Sequence, residues 1–310
     1  MRVLFLGTSD FACPSLKALA ERSYPVVAVV TQPDRPKGRG QKLTPPPVKT
    51  LAISRQLPVF QPEKLRDPSA VAHLRSLSPD LIVVAAYGQI LSPAVLAIPP
   101  RGCVNVHGSL LPKYRGAAPV ARAIQMGERK TGVTTMLMDE GMDTGPILLT
   151  AETEITPEDN LESLHDRLAL MAADLLLKTL KGLERGSVKP VAQNHLQATY
   201  APKVAREEAR INWRSPAREI GNLVRAFDPW PGAYSTCEGK TLKLFRPLVI
   251  ESPVQEVPGT LLAAGAQGLA VAAAQGHLLF RELQLESRPR MSAEQFLRGA
   301  RLKPGCRLGE

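Results

Sequence analysis

Three side chains of different chemistry carry the strongest functional signal in this chain. Asn105 and His107 alternate with Val104 and Val106 in CVNVHGSLLPKYRG, residues 103–116. Residues two apart on a strand project to one face. The amide and the imidazole therefore point together where the strand gives out at Gly108, and ligands of α/β sheets bind at such strand ends. The third side chain is Asp143, in DEGMDTGPILL, residues 139–149. There Asp139, Glu140 and Asp143 lie within five residues, beside Gly141 and Gly145. Amide, imidazole and carboxylate suit the attack of an amine on a carbonyl carried by another molecule. Negative charge develops on the carbonyl oxygen, where an amide N–H and an imidazolium stabilise it. A neighbouring carboxylate favours the charged ring and accepts the amine's surplus proton. No covalent enzyme intermediate is needed. On spacing alone a satisfied polar pair at a sheet edge, and an acidic hairpin tip, remain open.

Other chemistries find less support. Ser109 stands in HGSL and not in a G-x-S-x-G elbow. No two histidines have metal-ligand spacing. Cys13, Cys103, Cys237 and Cys306 form no C-x-x-C pair, which excludes a disulfide framework or zinc site of the usual spacing and fits a reducing compartment. The turn GTSDFA supplies only Gly7 where a dinucleotide fingerprint needs three glycines. The N-terminal apolar run is too short for a signal peptide, and no stretch is long enough to span a membrane.

The elements that must position the three side chains follow from periodicity. Residues 2–6 read as a buried strand, 11–21 as a helix after Thr8, Ser9 and Asp10, and 25–30 as a second strand. That β-α-β opening implies a parallel sheet with a right-handed crossover. Helices are expected over 48–55 and 69–76. A continuous apolar strand is expected over 81–91, reaching the same edge at Tyr87 and Gly88. A helix over 117–126 follows, with Pro119 in its first turn, then strands over 132–138 and 147–155. Thr156 as N-cap and Pro157 at the first helical position place a helix from 158 to about 182. The C-terminal third reads differently. A helix over 206–227 is broken by Pro229, Pro231 and Gly232, and short alternating runs between glycines then suggest a small antiparallel barrel. The domain division is 1–189, a linker over 190–205, and 206–310.

The 310 residues carry a net charge of +10, are 44% hydrophobic and only 5% aromatic. This is a globular composition with a core of small aliphatics, and the positive surplus suggests an anionic partner such as nucleic acid. The charge has a focus in TQPDRPKGRGQKLTPPPVK, residues 31–49. There Arg35, Lys37, Arg39, Lys42 and Lys49 face one acid, Asp34, and five prolines interrupt the chain. Such a stretch is expected to be irregular. It is either a solvated surface loop or an arm that orders on phosphates.

NVHGSLLPKYRGAAP, taken with MDEGMDTGPIL, resembles the 10-formyltetrahydrofolate-dependent formyltransferases. The resemblance implies that Asn105, His107 and Asp143 are the catalytic trio and that 10-formyltetrahydrofolate is the formyl donor, with no metal. It implies a folate cradle at Tyr87 and Gly88, at Ser109, Leu110, Leu111 and Pro112, and at Asp139 and Gly141. The basic stretch resembles the insertion with which a tRNA-acting member grips the acceptor end of initiator tRNA, which assigns Arg35, Lys37, Arg39 and Lys42 to tRNA. EEARINW and RAFDPWPG resemble the start of that member's C-terminal domain. The implied fold is α/β, a Rossmann-like parallel-sheet domain followed by a small OB-like β-barrel. The expected reaction is formylation of the free amino group of methionyl initiator tRNA for translation initiation, by a cytoplasmic monomer that needs no membrane. A nucleotide-sugar or glycinamide ribonucleotide acceptor, or an RNA-binding protein on a retired scaffold, are the alternatives. The basic arm and second domain argue against glycinamide ribonucleotide, the length and charge of the arm against a nucleotide sugar, whose enzymes keep a second domain, and the intact trio against the last.

Overall fold

The computed structural model describes residues 1–22, 24–38, 40–299 and 302–309. Contacts divide the chain into two units. The first comprises Met1–Pro119, Lys130–Thr153 and His165–Ala201, the second Val120–Arg129, Glu154–Leu164 and Pro202–Glu310.

At the centre of the first unit is β1 (Val3–Gly7), buried throughout. It joins β2 (Val26–Val30), β5 (Val59–Phe60), β6 (Leu81–Ala85), β7 (Cys103–His107), β8 (Lys130–Leu137) and β9 (Ile147–Glu154) in a seven-stranded sheet of order β5-β2-β1-β6-β7-β8-β9. Strand alternation puts Leu4 and Leu6, Ala28 and Val30, and Ile82 and Val84 into one cluster with Leu65, Leu74 and Val95. The first five strands pair in parallel, as the β-α-β opening requires. β8 runs antiparallel to β7, so the sheet is mixed. Six consecutive residues of β8 are buried, and a run buried on both faces reads the same in either direction.

Proline opens most helices of this unit. α1 (Cys13–Glu21), α2 (Pro47–Ser54), α3 (Pro68–Ser76) and α4 (Pro93–Leu96) each carry it at the first or second position, where its fixed φ suits the helix and no donor is lost. α5 (Pro119–Gln125), which belongs beyond Pro119 to the second unit, also starts on proline, two residues later than periodicity suggested. The strand expected over 81–91 stops at Ala85, because Ala86 turns to φ 43° and Gly88 to φ 86°.

Two expectations are corrected here. The basic stretch is not irregular. β3 (Arg35–Lys37) and β4 (Lys42–Thr44) form a two-stranded antiparallel ribbon, with Arg35 opposite Thr44, Pro36 opposite Leu43 and Lys37 opposite Lys42. Pro36 is tolerated because a two-stranded ribbon leaves one side of each strand without ladder partners, while Pro46 and Pro47 start α2. Second, the long helix α6 (Leu161–Arg185) starts beyond Thr156 and Pro157. Thr156 closes a turn in which its N–H and hydroxyl donate to Asp159 Oδ2 at 2.8 and 3.1 Å, and Asn160 Oδ1 accepts the Ser163 N–H at 2.9 Å. A second capping side chain four residues on took the helix start.

In the second unit, Pro216 confines the expected helix over 206–227 to α7 (Ala217–Ala226), preceded by a 3-10 turn over Arg206–Ala209. β10 (Tyr234–Cys237), β11 (Lys240–Ile250), β12 (Leu261–Gly265), β13 (Gly268–Ala272), β14 (His277–Leu285) and β15 (Met291–Ser292) form an antiparallel sheet. Its order is β10-β11-β14-β13-β12, with β15 on β14 and the short α8 (Ala293–Gly299) after it. Ala217, Ile220, Gly221 and Val224 form the buried stripe of α7. Among the described residues no helix is long and apolar enough to cross a membrane.

One close approach in the first sheet is testable. A Cβ on Gly132 in β8 would collide with the Ala151 carbonyl oxygen of β9 and with Leu110 Cδ2. Backbone cannot yield as a side-chain tip can, so Gly132→Ala is expected to lower unfolding free energy by about 1–3 kcal/mol, read from urea denaturation.

Candidate active site

β7 carries two of the three side chains to the sheet edge. All five of its residues are buried, which fixes Asn105 (9% exposed) and His107 (6%) against a rigid backbone. The 138–146 loop between β8 and β9 delivers the third. Asp139 organises that loop, its Oδ1 accepting the Gly141 N–H at 3.0 Å and the Thr144 hydroxyl at 2.6 Å. Gly145 passes so close to β8 that any Cβ there would collide with the Leu137 carbonyl oxygen. Asp143 adopts φ 54°, a left-handed conformation that aspartate tolerates better than most residues but still at a cost.

That backbone brings the carboxylate to both partners. Asn105 Nδ2 donates to Asp143 Oδ1 at 3.2 Å, and the Gly116 N–H donates to Oδ2 at 2.8 Å. His107 Nδ1 lies 3.6 Å from Oδ2. Its Nε2 is 2.9 Å from the Tyr114 carbonyl oxygen, which can only accept, so a proton sits on Nε2. Nδ1 faces the carboxylate at a separation longer than a hydrogen bond. The cluster offers amide and imidazole donors for a developing oxyanion and a carboxylate for a proton, all in a partly desolvated edge where such interactions are strongest.

The other expected site residues divide. Ser109 is fully buried and its hydroxyl donates to the Lys113 carbonyl at 2.7 Å, while its own carbonyl accepts from Thr134 Oγ1 at 2.7 Å. Thr134 Oγ1 also accepts the Leu111 N–H at 3.1 Å. Residues 109–113 are therefore a self-bonded turn pinned to β8, with Leu111 buried and Leu110 over Gly132. Pro112 is half-buried. The Tyr87 ring is buried with no hydrogen-bond partner for its hydroxyl among the described residues, and burial pushes the phenol up to about 12. Tyr87 can serve a ligand only through its backbone, whose carbonyl accepts from Thr8 Oγ1 at 2.7 Å. Gly88, Asp139 and Gly141 are exposed, and so are Ile90 and Met142 beside them.

In the ribbon, positions 35, 37, 42 and 44 share one face and 36 and 43 the other. Arg35 Nη2 pairs with Glu63 at 3.1 Å, with both side chains largely exposed, so the pair contributes little and leaves the guanidinium open to phosphate. Lys49 is committed to Asp34 at 2.8 Å. The Lys49 hydrogen bonds, then that of Gln61, hold the Asp34 carboxyl below the usual carboxylate range. Lys42 is exposed, and Arg39 lies outside the described residues.

Sequence reasoning missed the residues that hold the trio together. Tyr114 and Gly116 stand in the quoted KYRG but had no assigned part. Gln193 lies in the stretch expected to be a linker, yet it is buried and donates to the Asp143 and Gly145 carbonyls at 2.9 and 2.7 Å. A glutamine in a polar stretch carries no local signal of burial.

The chain matches the formyl transferase family model over residues 1–180 and that family's C-terminal domain model over 203–301. It is 50% identical over 309 residues to a methionyl-tRNA formyltransferase of Geobacter metallireducens, covering 100% of this chain and 99% of that one. It is 51% identical over 307 residues to that of Trichlorobacter lovleyi, covering 99% and 96%. Among solved structures, HypX from Aquifex aeolicus in complex with tetrahydrofolic acid superposes with a TM-score of 0.65 at 21% identity, over 96% of this chain and 47% of that one. WlaRD, a sugar 3N-formyl transferase, superposes with a TM-score of 0.66 at 17% identity, over 93% and 99%. These two support the fold.

The rigidity of the strand behind the site can be measured through Cys103. Burial pushes its thiol up to about 12, so about one thiol in ten thousand is ionised at pH 8. A disulfide reagent is expected to leave Cys103 intact in the native protein and to modify it only on unfolding. Modification of the native protein at the unfolded chain's rate would mean that β7 opens.

Proposed function

Because the chain belongs to the formyl transferase family, we propose that it transfers the formyl group of 10-formyltetrahydrofolate to the free amino group of methionyl initiator tRNA, giving N-formylmethionyl-tRNA for translation initiation. Relatives bearing that activity in their name at about half identity over the full length support the acceptor. The observation that carries the chemistry is the meeting of Asn105, His107 and Asp143 at one strand end.

In this reading the amine nitrogen attacks the formyl carbon, a C–N bond forms, and the carbonyl electron pair moves onto the formyl oxygen. Asn105 and His107 donate hydrogen bonds to that oxygen. Use of the Nε2–H requires its bond to the Tyr114 carbonyl to be shared or exchanged. Asp143 takes the proton the amine sheds, directly or through water. As the oxygen's electron pair returns, the bond from carbon to the folate nitrogen breaks and that nitrogen gains a proton. The strand-end backbone at Tyr87 and Gly88, the 109–112 turn and the Asp139–Gly141 part of the acidic loop cradle the folate. The exposed Gly88, Asp139 and Gly141 and the apolar side chains of Ile90 and Met142 fit a flat, hydrogen-bonding ring system. Arg35, Lys37, Arg39 and Lys42 of the basic stretch engage tRNA phosphates, and the enzyme acts as a monomer in the cytoplasm.

The decisive assay mixes the protein with 10-formyltetrahydrofolate and either charged initiator tRNA or a nucleotide-linked amino sugar. Tetrahydrofolate release with the sugar alone would sink the tRNA reading. His107→Ala and Asp143→Asn are each expected to lower kcat by about 10²–10⁴-fold, with tRNA affinity within about 3-fold of the parent. Turnover that stays near the parent's would remove the residue from the chemistry. Lys42→Ala is expected to reduce the slope of log affinity against log salt by about 0.7–0.9. An unchanged slope would take Lys42 off the phosphates.

A further inference from the structure

The geometry points to Gln193, backed by Arg115, as the residue that positions Asp143 for transfer, an inference that rests on the catalytic reading of Asp143 given above. The orientation of the Gln193 amide is fixed by its partners. Its Oε1 faces Arg115 Nε and Nη2 at 3.1 and 2.6 Å, groups that can only donate. Its Nε2 faces the carbonyls of Asp143 and Gly145 at 2.9 and 2.7 Å, groups that can only accept. The two amide hydrogens therefore grip the loop on both sides of Thr144 and hold Asp143 at φ 54°.

Arg115 closes the arrangement into a ring. Its side chain is buried, and Nη2 also reaches His195 Nδ1 at 3.2 Å. Its chain neighbours touch the trio directly, since the Tyr114 carbonyl accepts from His107 Nε2 and the Gly116 N–H donates to Asp143 Oδ2. The Arg115 N–H donates to the Thr199 carbonyl at 2.9 Å and its carbonyl accepts the Ala201 N–H at 2.7 Å, which fastens the same strap that bears Gln193. One continuous path thus runs from His107 through Tyr114, Arg115 and Gln193 to Asp143 and back to His107. A buried polar path whose members are each other's partners selects a single geometry. A displacement of about 1 Å in a reacting group can cost about 10²-fold in rate.

Two substitutions separate this role from bulk stability. Gln193→Glu still accepts from Arg115 but sets a carboxylate oxygen against two carbonyls. Gln193→Met keeps the volume and donates to neither. Both are expected to lower kcat by about 30-fold or more, with KM for 10-formyltetrahydrofolate and for methionyl initiator tRNA within about 3-fold and a cooperative melt retained. Made in the Asp143→Asn protein, either should cost at most about 3-fold more, because the position of a disabled carboxylate no longer matters. A parental kcat in both variants, an effect confined to KM, or the full loss repeated on Asp143→Asn would overturn the inference. Should Asp143→Asn alone retain parental turnover, the catalytic reading of Asp143 fails and this inference falls with it.

Discussion

The Asp143 carboxylate is the shared acceptor on which the site depends. It receives the Asn105 amide, the Gly116 N–H and the approach of His107 Nδ1, within a span no wider than two oxygens allow. An aspartate reaches that point only because its backbone is left-handed, and that conformation persists only where surroundings over-determine it. Three independent restraints do so. Gly145 allows the close approach to β8, Asp139 ties the front of the loop to Thr144, and Gln193 holds the carbonyls behind it. Each would be of little use alone, because a loop with one tether still samples several geometries.

The charge distribution follows a different logic. The candidate site is built from a neutral amide, an imidazole and one carboxylate, while Arg35 and Lys42 lie on one face of the two-stranded ribbon. The ribbon is anchored by a partly buried ion pair at its base, Lys49 with Asp34, and that cation is committed to structure. Exposed Arg35 and Lys42 keep solvent-screened charges, which suits contacts to a backbone that carries no sequence information.

Much of the site was legible in the linear chain. Asn105 and His107 share a face because strand alternation has no other solution once Val104 and Val106 are buried. DEGMDTG announced a loop, since glycines that close around a carboxylate have few other uses. The starts of α1, α2, α3 and α5 were placed to within two residues and the short α4 was not foreseen, while α6 was displaced by competition between two capping residues, Thr156 and the more strongly capping Asn160. The ribbon within residues 31–49 was hidden because its prolines argue against strand and its pairing partner lies across a turn.

Sequence by itself determined the strand-end pair, the acidic loop, the β-α-β opening and the family, all of which rest on neighbours in the chain or on short periodicities. Only the tertiary structure decided that β8 runs antiparallel, that the Tyr87 ring is buried, and that Gln193 and Arg115 stand behind Asp143. Those facts depend on contacts between residues as far apart as 115 and 193. Local propensity is blind to such pairs, because the free energy that joins them comes from burial and from satisfied hydrogen bonds that exist only once the chain has folded.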